Sequence, residues 1–174
     1  KDHGWHPSVE QNVQNAGRGA LFYEFRNFMV HNLGLPLIPP NTGKLRIVLS
    51  THSSGEPERD VDFAVQFTAL ERAFAGIDLR TVELSKMPLK EQVELVSQTH
   101  IFVTTCGGGA MSGTFLPRGA TLILFYAEKG GFEFSTFNLT GGPAYLDWDL
   151  FNNAGHLRSH WLPIGSMNTQ AGLE

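Results

Sequence analysis

From Lys44 onward the apolar positions alternate between short continuous runs and longer stripes spaced by three and four. Lys44 to Thr51, carrying Leu45, Ile47, Val48 and Leu49, reads as a buried strand, and the polar segment His52-Ser-Ser-Gly-Glu-Pro-Glu58 follows it as a loop. Asp60 is placed to cap a helix running to about Ala75, because Phe63, Phe67, Leu70 and Phe74 share one face. Leu79 to Leu84 alternates as a second strand. Pro88 suits a first helical turn, and Leu89, Val93 and Val96 give a helix over 88–98 its apolar stripe. Ile101 to Thr105 forms a third strand, a glycine turn opens a further short helix that stops before Pro117, and Ala120 to Tyr126 forms a fourth. Short apolar strands separated by helices predict an α/β domain with a mostly parallel sheet and right-handed crossovers.

The flanks are less regular. Val9, Val13, Leu21, Phe25, Phe28 and Val30 fall at near-helical spacing, but Gly17 and Gly19 interrupt the first half, so the helix is placed mainly over 19–33. Gly34-Leu-Pro36 and Pro39-Pro40-Asn41-Thr-Gly43 then make a turn-rich joint. The chain accordingly divides into an N-terminal helical segment and linker over 1–43 and the α/β domain over 44–174. Beyond Glu128 the sequence loosens into glycine-, aromatic- and Asn-rich stretches, with a short helix near 145–153.

A length of 174 residues with 41% apolar composition allows one domain with a real core and little room for two. The net charge of −4 and pI near 6.0 argue against nucleic acid or an anionic membrane as partners, so any phosphate must be held by a local site. Cys106 is the only cysteine, which excludes an intrachain disulfide and a multi-thiolate metal site. No run of about 18 apolar residues and no signal-peptide pattern is present, so no membrane contact is expected within this segment. The sequence does not begin with Met, and it reads as part of a longer chain or larger assembly. Asn138-Leu-Thr140 fits a glycosylation sequon, which matters only in a secretory lumen.

Ligands of open parallel sheets bind at the carboxyl ends of the strands, which singles out the loops Thr51 to Glu58 and Cys106 to Ser112. In the second, Gly107-Gly108-Gly109 after a strand and before a helix is how backbone N–H groups are set against a phosphate. It matches neither the GxGxxG dinucleotide pattern nor the P-loop, which argues against NAD and ATP chemistry, and a tight turn for close packing would also use glycine. Cys106 heads the turn as either an activated thiolate or a small buried side chain. His52, Arg59 and Arg118 lie near loop ends where an anion could be met, although solvated or capping roles are commoner for each. Asp147-Trp-Asp149 has the DxD spacing that holds a divalent ion in nucleotide-sugar enzymes. His3 with His6, and His156 with His160 at helical i, i+4 spacing, are conceivable metal pairs. Neither has an evident third ligand, so no metal site is expected.

The segment from Lys86 to Ala120 resembles the carboxyl-terminal catalytic region of glycosyltransferase family 61. The matching residues are Glu91-Gln92, the strand Ile101 to Thr105, the turn Cys106-Gly107-Gly108-Gly109-Ala110-Met111-Ser112, and Phe115-Leu116-Pro117-Arg118-Gly119-Ala120. The likeness extends upstream through Phe25-Arg26-Asn27-Phe28, Leu33-Gly34-Leu35, and the strand ending near His52 with Arg59 beyond, and covers about residues 20–127. It implies a Rossmann-like three-layer domain forming one half of a GT-B enzyme, so that residues 44–174 would bind a nucleotide-sugar. It further implies inverting transfer to a glycan or protein hydroxyl with no cofactor or metal required, and a Golgi or endoplasmic reticulum lumen in a eukaryote. Gly107, Gly108, Gly109 and Ser112 would lie near the donor diphosphate, with Cys106, His52 and Arg59 completing the set; the resemblance names no acid–base residue. Cys106, Ser112 and His52 stand where the family usually carries His, Asn and Arg. Those exchanges support an alternative, a catalytically inactive module in a larger assembly. An unrelated nucleotide-binding enzyme is the third reading.

Overall fold

In a computed structural model, residues 15–39, 43–51, 61–126 and 145–164 are described. They build a five-stranded, wholly parallel sheet from β1 (Arg46–Ser50), β2 (Asp78–Val82), β3 (Ile101–Thr105), β4 (Thr121–Tyr126) and β5 (Arg158–Pro163), in the order β2-β1-β3-β4-β5. The helices are α1 (Gly19–Asn32), α2 (Ala64–Ala73), α3 (Leu89–Ser97) and α4 (Tyr145–Asn153), with 3₁₀ segments at Leu84–Lys86 and Gly108–Phe115. This is the expected Rossmann-like arrangement of three layers.

The apolar runs of the central strands are explained by burial on both faces. Val48, Phe102 and Leu122 stand in register across β1, β3 and β4 and point into one core, which Val30 of α1, Val93 and Val96 of α3 and Phe151 of α4 close. The intervening residues Ile47, Leu49, Val103 and Phe125 point the other way, into a smaller core with Val61, Phe63 and the partly buried Phe67 and Leu70 of α2. Each such side chain removed from water contributes about 1.5–3 kcal/mol before chain entropy is charged against it.

Several details depart from the sequence expectations. β5 is absent from them, because its residues Arg158-Ser-His-Trp-Leu-Pro alternate between exposed and half-buried and pair only with β4, as an edge strand permits. His156 and His160 are therefore not on one helix face: His156 precedes β5 and His160 lies in it. The segment after the glycine turn is a 3₁₀ helix of eight residues. Asp60 lies outside the described residues; at the start of α2 it is the Asp62 carboxylate that accepts the Ala64 N–H, at 2.9 Å. Phe74 falls beyond α2 in extended backbone and is exposed, and Leu89 at the first turn of α3 is also exposed, with Leu95 buried instead. On α1 the inward stripe is Arg26, Met29, Val30 and Leu33, while Leu21, Phe25 and Phe28 face outward.

Candidate functional site at the carboxyl edge of the sheet

The strand order changes direction between β1 and β3, so the crevice that α/β sheets use for ligands lies beyond the carboxyl ends of those two strands. Both loops singled out from the sequence leave from this edge. The loop after β1 is pinned where it departs and returns: Thr51 N–H donates to the Val82 carbonyl (2.9 Å) and Val61 N–H to the Thr51 carbonyl (3.0 Å). His52 and Arg59, within that loop, lie outside the described residues, as do His3, His6 and Asn138.

The glycine turn extends β3 by one residue, since Cys106 N–H donates to the Phe125 carbonyl at 2.9 Å in continuation of the β3–β4 ladder. Gly107 then takes φ 123° and ψ −158°, a region open to glycine and strained for any residue with a Cβ. Its N–H donates to Asp147 Oδ2 at 2.7 Å. Its carbonyl accepts the Ala110 N–H at 2.9 Å, which starts the 3₁₀ helix Gly108–Phe115. The N–H groups of Gly108 and Gly109 thus precede the first bond of that helix and lie at its positive end. Gly108 is exposed and Gly109 half-buried.

Behind the turn the helix is fixed by side chains from three elements. Ser112 is buried, and its hydroxyl donates to Gln92 Oε1 (3.2 Å), while Gln92 Nε2 donates to the Met87 carbonyl (2.8 Å). Gln92 of the Glu91-Gln92 pair therefore ties α3 to the 3₁₀ helix, and Glu91 lies exposed in the first turn of α3. Gly113 sits so close to β4 that a Cβ there would meet both Leu122 methyls at 3.2 Å. Phe115 ends the helix with its carbonyl accepting Arg26 Nε at 3.2 Å. Cys106 packs half-buried against the larger core.

The Asp147-Trp-Asp149 pair does not converge on a metal position. Asp147 faces the Gly107 amide, whereas Asp149 accepts Asn15 N–H (3.3 Å), Asn15 Nδ2 (2.8 Å) and Asn153 Nδ2 (3.2 Å). Both carboxylates are buried, and no cluster of three metal-ligating side chains occurs among the described residues. Arg118 lies at the amino end of β4, remote in topology from the crevice, with its guanidinium 5.0 Å from the Tyr23 ring centre.

Of the residues expected near a donor, the fold brings Cys106 to Gly109 to the switch point and turns Ser112 inward. Reading the sequence alone missed the Asp147 contact, which spans 40 positions and has no local signature. It also missed the burial of Arg26, whose signal was available: Met29 and Val30 follow Arg26 at spacings of three and four, and Leu33 follows them at four and three, on one face.

Among the described helices, none is long and apolar enough to cross a membrane. In comparisons with known proteins, the family model "Glycosyltransferase 61" matches residues 7–123. A curated relative from Drosophila melanogaster, an EGF domain-specific O-linked N-acetylglucosamine transferase, is 24% identical over 137 residues, covering 79% of this chain and 26% of the relative. The chain thus spans about a quarter of that relative's length. The match takes in α1, the first three strands, the glycine turn, the Phe115-Leu-Pro117 exit and the start of β4, and on it the chain belongs to glycosyltransferase family 61.

Proposed function

We propose that this chain is the donor-binding half of a two-lobed GT-B glycosyltransferase. It binds a nucleotide-sugar at the carboxyl edge of the sheet and transfers the sugar, with inversion, to a hydroxyl of a glycan or protein. The observation that carries the reading is the pair of amides of Gly108 and Gly109, placed at the topological switch point ahead of the first helical bond. In such a reaction the acceptor oxygen attacks the anomeric carbon from the face opposite the diphosphate. The carbon–oxygen bond to the diphosphate breaks, its electron pair stays on the leaving group, and the hydroxyl proton passes to a base. Backbone N–H groups at a helix start offset the charge that develops on the leaving diphosphate. The relative's name directs the first trials to an N-acetylglucosamine donor and a protein acceptor.

Calorimetry with uridine and guanosine diphosphates tests this. The proposal expects saturable binding of one of them and at least tenfold weaker binding by Gly108→Asp, which puts a carboxylate beside the diphosphate. Gly108 is exposed and has no positive φ, so that variant keeps the fold. Absence of binding at about 1 mM, the level of a −4 kcal/mol interaction, overturns it.

A second reading has its own support. The Gly107 amide is engaged by a buried carboxylate, the Ser112 hydroxyl is engaged by Gln92, and Cys106 stands where the family usually carries His. A non-catalytic module of a larger assembly would show no nucleotide binding together with a size-exclusion mass above that of the monomer.

A further inference from the structure

A second polar cluster lies at the opposite edge of the sheet, where β4 and β5 begin. Gly119 N–H donates to the His156 carbonyl (2.7 Å) and Arg158 N–H to the Ala120 carbonyl (2.9 Å), so the turns entering these strands are joined. Arg26 reaches this region from α1 and is wholly buried. Its Nε donates to the Phe115 carbonyl, and its Nη1 donates to Asn27 Oδ1 and the Leu37 carbonyl, both at 2.9 Å. Its Nη2 is buried and makes no hydrogen bond. His156 is 5% exposed, and among the described residues its ring nitrogens make no well-formed hydrogen bond, although the Thr114 backbone acts on the ring. Tyr23 organises the group: the His156 ring centre lies 5.2 Å from its own, with the guanidinium carbons of Arg118 and Arg26 at 5.0 and 6.0 Å.

Electrostatically the cluster is one-sided. A guanidinium stays charged at any pH a protein survives, and neutral carbonyls satisfy its N–H groups without neutralising it. Removing such a charge from water is costly, and a tyrosine face offsets only part of that cost. No carboxylate pairs with Arg26 or Arg118 among the described residues. His156 registers the imbalance: burial first, then Arg26 and Arg118, hold its imidazole well below the ordinary range, at about 4. Only the Thr114 backbone favours its protonated form.

We propose that Arg26 Nη2, the His156 imidazole and the Arg118 guanidinium form a binding site for a small oxyanion, phosphate or carboxylate. With Nε and Nη1 engaged by protein oxygens, Arg26 brings the two N–H donors of Nη2, and buried charge-assisted bonds are the strong ones. His156 adds a further donor, and it gains a proton more readily once the anion is in place. Arg118 is exposed, so its guanidinium is the member of the group that meets solvent, while Arg26 Nη2 and the His156 nitrogens are buried behind it. The site is separate from the glycine turn, being at the amino ends of the strands, and does not depend on the donor reading.

The test follows the His156 ring resonances by NMR across pH, at constant ionic strength, in chloride alone and with inorganic phosphate or acetate added. The proposal expects one oxyanion to raise the His156 pKa by more than a unit, saturably, with at least tenfold weaker binding in Arg118→Met, whose surface position leaves the fold intact. Phosphate as the effective probe assigns a free anion, and acetate alone assigns a carboxylate such as a side chain supplies. A His156→Gln variant, read by thermal unfolding, must lose the stabilisation that the anion confers. A His156 titration that is the same in chloride, phosphate and acetate at tens of millimolar overturns the proposal, as does an unaltered response in Arg118→Met.

Discussion

Deleting the Asp147 carboxylate measures how firmly α4 holds the glycine turn. In Asp147→Ala the Gly107 N–H loses a charged acceptor at 2.7 Å. A hydrogen bond to a charged group contributes about 1.5–3 kcal/mol, and a donor left unsatisfied in the interior costs about 1–3. Gly107 is only half-buried, so water recovers part of the second amount, while truncating a side chain that is 2% exposed leaves a small cavity. The net expectation is a loss of about 3 kcal/mol. For a chain of this length that corresponds to a fall in Tm of about 6–12 °C. Asp147→Asn keeps an acceptor oxygen and loses only the charge, so its cost is about 1 kcal/mol. Calorimetric or circular-dichroism melting checks both, and the Gly107 amide proton resonance should move upfield in the Ala variant as its bond is lost. A Tm for Asp147→Ala within about 2 °C of the wild type would refute the claim that this contact anchors the turn.

Two further perturbations follow from the same geometry. His156 has its pKa lowered from 6.5 to about 4, chiefly by burial, so the unfolded chain takes up a proton before the folded one does. Stability is therefore unaffected by this group above pH 6.5 and falls as pH drops from 6.5 towards 4, by about 3 kcal/mol in all; urea midpoints should follow that slope in the wild type and lose most of it in His156→Gln. Asp78, held at about 2 by Arg80 and Arg46, acts in a lower window, its contribution being present above 3.8 and lost as pH falls through 2, so the two effects separate. Gly19→Ala sets a Cβ 2.7 Å from the Asn153 carbonyl oxygen and 3.0 Å from Gly155 N, backbone on both counts. It should destabilise by about 1–3 kcal/mol despite alanine's better helix propensity, and a Tm at or above the wild type would contradict the close packing of α1 on the α4–β5 turn.

How much of this could be read from the sequence varies with the forces that set each element. β1, β3 and β4 are buried on both faces, so Ile47–Leu49, Ile101–Val103 and Leu122–Phe125 are continuous apolar runs, and Ile101–Thr105 could be placed to the residue. β5 is held by backbone pairing to β4, by Trp161 against the larger core and by side-chain bonds from Ser159 and Trp161 to α4, and a run containing Arg158, Ser159 and His160 carries no such apolar signature. Position within the site divides in the same way. The glycines announce their turn because Gly107 needs a backbone conformation that other residues avoid. What meets that turn depends on the crossing of α4 over the sheet edge, so the spacing of Asp147 and Asp149 suggested a shared ion where the fold sends the two carboxylates to different partners. Gln92 was visible as part of a family motif, yet its work as a clamp between Met87 and Ser112 is a matter of packing.

The central claim is that the amides of Gly108 and Gly109 receive the diphosphate of a nucleotide-sugar. Titrating the isotope-labelled chain with uridine diphosphate and its N-acetylglucosamine ester, and following backbone amide shifts, tests it directly. The account predicts saturable shifts largest at Gly108 and Gly109, extending to Cys106 and Thr51 across the crevice and sparing His156 and Arg118 at the far edge. Shifts confined to the far edge, or none at about 1 mM ligand, would contradict it.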